Sequence, residues 1–174
     1  MRWHNLIIAA IMLSLVGAGH ARSENFPRRI SATPATTNSV PHVQIGITPD
    51  PAISAALLSR ADEIPGVEIR ETVISMPGAK GFWRDDSVVV ARPQNIVGGR
   101  EFAHMHPDGS LHASLSPEHA LEAVKLGWAT YHPWSTERPG WEGFVMIYTP
   151  TSQGELEVVL RLVRRAYGFV TGAD

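Results

Sequence analysis

The sequence predicts an α+β domain in which a mostly antiparallel sheet is packed by helices. Three observations predict this class: several short strand-like segments in the middle of the chain, a Pro-Asp-Gly turn that joins two of them, and a long amphipathic segment near the C-terminus. The 174 residues are 44% hydrophobic and 18% charged, which is typical of one ordinary globular domain. We therefore expect a single hydrophobic core.

The first residues have the layout of a secretory signal peptide. Arg2 precedes an apolar run of about 14 residues, and small residues stand at Gly19 and Ala21. Because about 20 apolar residues are needed to cross a bilayer, a cleaved signal is favoured over a permanent membrane anchor. We expect removal of residues 1–21 near Ala21 and export to the periplasm or the outside. An uncleaved N-terminus would be the link to a membrane.

The next segment is predicted to be a flexible spacer. Residues 22–47 are rich in Ser, Thr and Pro and show no sustained hydrophobic period. A single domain is then predicted over residues 48–174.

Composition excludes several classes of function. The chain carries 15 Lys+Arg against 17 Asp+Glu, with no basic run longer than a pair, so no nucleic-acid partner is expected. It has no cysteine, which excludes disulfides, thiolate metal sites and a cysteine nucleophile. Any metal must therefore be held by histidines and carboxylates.

The first half of the domain predicts one helix and two strands. Apolar residues recur at helical spacing from Pro51 to the break at Pro65-Gly66. Alternation over Val67–Ile74 predicts a strand. Phe82-Trp83 and the apolar run Ser87–Ala91 predict another, which Pro93 ends.

The second half predicts a hairpin, a helix, a strand and a final helix. Arg100–Leu115 gives two strands joined at a turn, and Ser116 caps a helix that ends at Gly127. Phe144–Tyr148 predicts a buried strand. The capping box Ser152–Glu155 opens the long C-terminal amphipathic helix.

The hairpin contains three histidines whose placement depends on the turn. His104 and His106 share a face because side chains alternate along a strand. A three-residue Pro107–Gly109 loop pairs His104 with His112 and brings all three imidazoles to that face, whereas a two-residue loop moves His112 to the opposite face. The three-residue loop is favoured because Pro suits its first central position and Gly its left-handed closing position. Alternation places Glu101 on the opposite face.

Three imidazoles on one face indicate either a metal site or a catalytic base. Neutral histidines bind zinc, iron, copper or nickel, and three of them leave positions open for substrate or dioxygen. The cofactor is therefore either absent or a divalent metal held by His104, His106 and His112. The third reading is that the histidines are structural, although burying such rings without partners costs about 1–3 kcal/mol each.

The loop after Gly127 offers further candidates. His132 stands where a fourth ligand or a general base could approach the hairpin. Aromatic side chains surround it and predict either a substrate pocket or a loop anchored to the core. These side chains are Trp128, Tyr131, Trp134 and Trp141.

The histidine motifs resemble those of a known family. The strings Arg100-Glu101-Phe102-Ala103-His104-Met105-His106 and Ser110–Leu115 are followed by Lys125–Trp128, His132-Pro133 and Tyr148–Pro150. Over about residues 100–172 this pattern resembles the luciferase domain of bioluminescent fungi and its many non-luminous relatives. In the fungal enzymes a styryl-pyrone, 3-hydroxyhispidin, reacts with dioxygen, loses carbon dioxide and emits light. The resemblance maps the shared histidines of the family onto His104, His106, His112 and His132.

The chain also departs from the fungal enzymes, which are longer and carry an N-terminal membrane segment. Luminescence and this particular substrate are therefore not implied. The first hypothesis is an exported enzyme that oxidises a small aromatic or enolic compound with dioxygen, with the four histidines catalytic and Trp128, Tyr131 and Trp134 binding substrate. The alternative is a non-catalytic exported module that captures a metal or a small ligand.

Overall fold

The computed structural model describes residues 26–96 and 98–173. The predicted signal peptide lies outside these residues and stays a prediction. Within the described residues, no helix is both long and apolar enough to cross a membrane.

The described chain folds into a six-stranded antiparallel sheet packed by helices, so the predicted α+β class is confirmed. The strands are β1 (Ala35–Thr36), β2 (Gln44–Ile45), β3 (Val67–Glu71), β4 (Lys80–Arg84), β5 (Glu101–Met105), β6 (Leu111–Ser114), β7 (Ala129–Tyr131) and β8 (Phe144–Ile147). The α-helices are α1 (Pro51–Asp62), α2 (Pro117–Lys125), α3 (Trp134–Glu137) and α4 (Gln153–Thr171), with a short 3-10 helix at Pro93–Asn95. The large sheet has the order β3-β4-β5-β6-β8-β7, and β1 and β2 form a separate two-stranded ribbon.

The two faces of the large sheet have different roles. Ala103 and Leu111 on the central strands belong to the hydrophobic core, together with Leu57 of α1 and Val159 of α4. The amphipathic helix α4 begins where predicted, with the Ser152 hydroxyl accepting a hydrogen bond from the Glu155 amide at 3.2 Å. The opposite face of the central strands carries the histidines.

The strand predicted over residues 82–91 ends early, at Arg84. The Asp85 carboxylate accepts hydrogen bonds from the amide and the hydroxyl of Ser87, and this local turn replaces the ladder. The Arg84 guanidinium then donates to the Val88 carbonyl at 2.8 Å. The Val88 amide donates to the Asp85 carbonyl, and the Ala91 amide donates to the Val170 carbonyl of α4 at 3.0 Å, so the apolar run forms a loop and not a strand.

Four described residues of the segment predicted to be a flexible spacer are buried in the domain: Phe26, Arg29, His42 and Gln44. Phe26 is only 4% exposed and belongs to the core. Arg29 is 7% exposed, and its guanidinium donates to a Glu155 carboxylate oxygen and to the Thr149 carbonyl, both at 3.1 Å. Its backbone amide donates to the Leu126 carbonyl at 2.9 Å. The composition of this segment did not predict the buried Phe26 ring or the buried ion pair between Arg29 and Glu155.

We expect the Arg29→Ala variant to lower the free energy of unfolding by about 3–5 kcal/mol, because it leaves the buried Glu155 carboxylate without its cation. Chemical denaturation of the variant and the parent protein measures this loss. The control is Arg28→Ala, which removes an exposed neighbouring cation. Equal effects of the two substitutions would contradict the prediction.

Candidate functional site

The register of the histidine hairpin is the one that the three-residue turn predicts. His104 pairs with His112 and Met105 with Leu111. The turn closes with the Gly109 amide donating to the His106 carbonyl at 2.9 Å, and Gly109 has a φ of +82°. Any larger residue at that position would be strained in the left-handed conformation, and its Cβ would lie 2.8 Å from the Thr149 methyl group.

Two further histidines join the three on the hairpin. His132 follows β7 and is held by a 3.0 Å hydrogen bond from its amide to the Phe144 carbonyl. His42 precedes β2, in the segment predicted to be a spacer. All five rings are buried. The His112 ring lies at the centre, with ring centroids 4.5 Å from His106, 4.7 Å from His132, 5.1 Å from His104 and 5.4 Å from His42.

These five imidazoles line a pocket of about 260 Å³. The rest of its wall is largely apolar and comes from two loops, the short helix α3 and strand β8. The non-histidine lining residues are Val40, Pro41, Ile74, Ser75, Met76, Trp134 and Phe144. The pocket therefore suits a small, flat, mostly apolar molecule with one or two polar atoms facing the histidines.

Glu101 lies beside the cluster, contrary to the prediction that it faces away. The pairing of β4 with β5 shifts between Phe82 and Trp83, so that Phe102 is an extra residue opposite them. Because Phe102 and Ala103 both enter the core, Glu101 and His104 both face the other side. The Glu101 carboxylate is 1% exposed and lies 3.2 Å from His104 Nδ1. It also accepts hydrogen bonds from the Thr72 hydroxyl and the Val73 amide.

A hydrogen-bond chain fixes the proton on His106. The Ser110 hydroxyl donates to the Asp108 carboxylate at 2.7 Å, so its oxygen accepts from His106 Nδ1 at 3.0 Å. Neutral His106 therefore carries its proton on Nδ1 and has a lone pair on Nε2. Asp108, predicted as a turn residue only, thus also orients a site residue.

His132 has the opposite tautomer. The Trp134 amide donates to His132 Nδ1 at 3.1 Å. Since that nitrogen is an acceptor, the neutral ring carries its proton on Nε2. His132 is therefore a hydrogen-bond donor through Nε2, whereas His106 is an acceptor.

His104 and His112 form a direct pair. His104 Nε2 lies 3.2 Å from His112 Nδ1. Three buried ring nitrogens have no hydrogen-bond partner among the described residues: His112 Nε2, His42 Nδ1 and His104 Nδ1. Unpartnered buried ring nitrogens are costly, so the arrangement favours a ligand that satisfies them.

Burial keeps most of these rings neutral. It lowers the pKa of His106 to about 4 and that of His132 to about 3, and neighbouring histidines add to the shift. Burial also lowers the pKa of His42 below its usual range and that of His112 well below it. At neutral pH these four imidazoles are therefore available as lone-pair donors or as N–H donors.

The structure brings some predicted substrate-binding residues to the pocket and leaves others elsewhere. Trp134 lines the pocket. Trp128 is buried away from it, where its indole N–H donates to the Pro27 carbonyl. Tyr131 is 38% exposed and lines a neighbouring shallow pocket of about 370 Å³. Trp141 packs edge-on against Trp134 and supports it from behind.

His42 is the site residue that the sequence analysis missed. It is a single histidine in a segment of low hydrophobicity, and nothing in its local pattern marks it. His119 lies outside the pocket on helix α2, where its ring contacts the Ser116 hydroxyl at 2.9 Å.

Comparison with known proteins supports the resemblance seen in the sequence. Residues 99–166 match the family model described as the luciferase domain. A luciferase of Armillaria gallica is 29% identical over 167 aligned residues, which cover 84% of this chain and 62% of the relative. A luciferase of Neonothopanus nambi is 35% identical over 106 residues, covering 53% of this chain and 39% of the relative. The chain thus spans less than two thirds of these relatives, and no solved structure matches it.

We expect the metal-free protein to lose stability as the pH falls from 6.5 to 5. The unfolded histidines have a pKa near 6.5, whereas His106 and His132 have values of about 4 and 3 when folded. The unfolded chain then binds more protons, so each of these histidines destabilises the fold by about 2 kcal/mol at pH 5. Chemical denaturation at pH 7, 6 and 5 measures the slope, and His106→Gln should make it shallower. An unchanged slope in that variant would contradict the assignment.

Proposed function

Because the chain contains a luciferase-family domain over residues 99–166, we propose that it is an oxidoreductase that oxidises a small enolic or aromatic compound with dioxygen. The family match supports the class of domain. The substrate class and the use of dioxygen are the proposal, and they rest on the chemistry of the pocket. The proposal does not include light emission.

The observation that carries the proposal is the set of neutral imidazoles around one largely apolar pocket. Their lowered pKa values keep lone pairs free at neutral pH. A weakly basic acceptor suits a substrate whose own proton is acidic, which is a property of enols conjugated to a carbonyl. An apolar wall also admits dioxygen and excludes much of the water that would stabilise the enolate before it reacts.

We assign complementary roles to two of these residues. His106 Nε2, whose lone pair is fixed by the Ser110 hydroxyl, is placed to accept the enol proton. His132, with its proton on Nε2, is placed to donate a hydrogen bond to an anionic oxygen of the substrate. The substrate anion supplies the electrons that reduce dioxygen, and the proton held by His106 returns to the oxygenated product. Trp134 and Phe144 offer flat surfaces for an aromatic ring.

Localisation forms a separate part of the proposal. The layout of residues 1–21 supports export, with membrane contact only through an uncleaved N-terminus. The partners proposed are a small-molecule substrate and dioxygen.

A second candidate function is a non-catalytic binding module. The observation that favours it is the presence of two overlapping groups of three histidines, His42-His112-His132 and His104-His106-His112, each of which has nitrogens within 4.8 Å of one another. Such a module would bind a metal or a ligand in a fixed ratio and consume no oxygen.

We expect the purified protein to consume dioxygen when it is given a styryl-pyrone that carries an acidic enol, measured with an oxygen electrode. His106→Gln should lower kcat/KM by about 10²–10⁴-fold, since it removes the proton acceptor. The control is His119→Gln, which changes a histidine outside the pocket and should leave the rate unchanged. Tight binding of the pyrone without oxygen uptake would overturn the oxidoreductase and favour the binding module.

A further inference from the structure

We propose that His104, His106 and His112 hold one divalent transition-metal ion, that Glu101 and the Asp108–Ser110 pair orient these ligands from outside, and that His132 is a hydrogen-bond donor beside the ion. The inference deepens the proposed function and rests on it, because the ion would lie in the same pocket. With the ion bound, the lone pair of His106 Nε2 is a ligand, so the proton-acceptor role given to His106 above applies to the metal-free site. Binding of the ion is measured without turnover, so the two proposals can fail separately.

The first support is the spacing of the ligand nitrogens. One nitrogen from each of the three rings lies within 4.8 Å of the others, and all three rings are buried. His104 Nε2 and His112 Nδ1 are 3.2 Å apart. Two nitrogens bound to one tetrahedral ion at about 2.0–2.1 Å lie about 3.3–3.4 Å apart. The pair therefore has nearly the separation that a shared ion requires.

The second support is the set of groups behind the ligands. A histidine that binds a metal usually donates its other ring N–H to a carboxylate or another acceptor, which fixes the tautomer. The Glu101 carboxylate lies 3.2 Å from His104 Nδ1, and the Ser110 hydroxyl accepts from His106 Nδ1. The arrangement at His106 leaves its Nε2 with a free lone pair. At His104 the carboxylate is near Nδ1 but makes no hydrogen bond with it among the described residues, and Nε2 lies against His112 Nδ1.

The structure distinguishes between the two overlapping groups of histidines. A ligand in the His42-His112-His132 group must offer a lone pair, yet His132 Nδ1 already accepts a hydrogen bond from the Trp134 amide and its Nε2 carries the proton. His132 therefore suits an anion that approaches the ion better than it suits the ion itself. By the same criterion His106 is suited to be a ligand, because its proton is on Nδ1 and its lone pair on Nε2.

The donor set also restricts the ion. Three imidazoles with no carboxylate among the ligands favour zinc, iron, copper or nickel over magnesium or calcium. Three protein ligands leave at least one position open, as in catalytic rather than structural zinc sites. A substrate enolate oxygen or dioxygen would fit such a position.

The test is a metal titration of the full-length protein without a histidine tag, after chelation and dialysis. Co²⁺ is added and followed by its visible absorption, and Zn²⁺ affinity is obtained by competition. We expect one ion per chain. His104→Ala and His112→Ala should weaken binding by at least 100-fold. Glu101→Gln should weaken it by about 10–100-fold with the ratio kept at one, because its amide N–H₂ faces a ring N–H.

Two further variants keep the test decisive. Ser110→Ala removes the acceptor for His106 and should weaken binding even if Glu101→Gln unfolds the chain, which circular dichroism would show. His132→Phe should retain one ion with affinity changed less than about threefold. The proposal is overturned if no ion binds, or if His132→Phe abolishes binding while His104→Ala keeps it.

Oxygen uptake separates this proposal from the proposed function. Uptake by protein that binds no ion would overturn the metal site and leave a histidine base as the catalyst. One bound ion without uptake would support the metal site and count against the oxidoreductase.

Discussion

The three-residue turn between β5 and β6 is the constraint on which the site depends. It sets the register that puts His104 directly opposite His112. A shift of one residue would send His112 into the core and Leu111 to the pocket, because side chains alternate along a strand. The turn also positions Asp108 and Ser110, which orient His106. One short loop therefore fixes the places of three rings and the proton of one of them.

Three of the five buried imidazoles lie beside polar groups that are not part of the histidine cluster. Glu101 stands behind His104, the Ser110 hydroxyl behind His106, and the Trp134 amide behind His132. The partners of His106 and His132 fix which ring nitrogen carries the proton, so these two rings are already set as an acceptor and a donor before a ligand enters. Such preorganisation lowers the cost of ordering the site when a ligand or a transition state forms. His112 Nε2 and His42 Nδ1 have no hydrogen-bond partner among the described residues, so both rings would gain from a ligand.

Local sequence patterns predicted most of the fold and part of the site. The α+β class, the hairpin register and the start of α4 follow from turn chemistry, alternation and capping, which act over a few residues. The position of Glu101 does not follow from local pattern, because the bulge opposite Phe82 and Trp83 depends on the pairing of two strands that are separated in the chain. His42 and the packing of residues 26–47 also depend on long-range contacts. The low hydrophobicity of that segment is true of its average composition. It gives no indication of the few buried residues that anchor the segment to the domain.

Hydrogen bonds connect the N-terminal segment, residues 26–47, to the turn that carries the site. The buried Gln44 side chain donates to the Thr149 hydroxyl at 2.6 Å, and that hydroxyl donates to the backbone carbonyl of Asp108 at 2.6 Å. The Asp108 carboxylate in turn accepts from Ser110, which orients His106. The segment that brings His42 to the pocket is thus tied to the turn that carries the other histidines. Release of this segment would remove the His42 imidazole from the pocket. It would also remove the hydrogen bond from Gln44 to Thr149, which helps to hold the turn that orients His106. The segment and the pocket therefore form one structural unit.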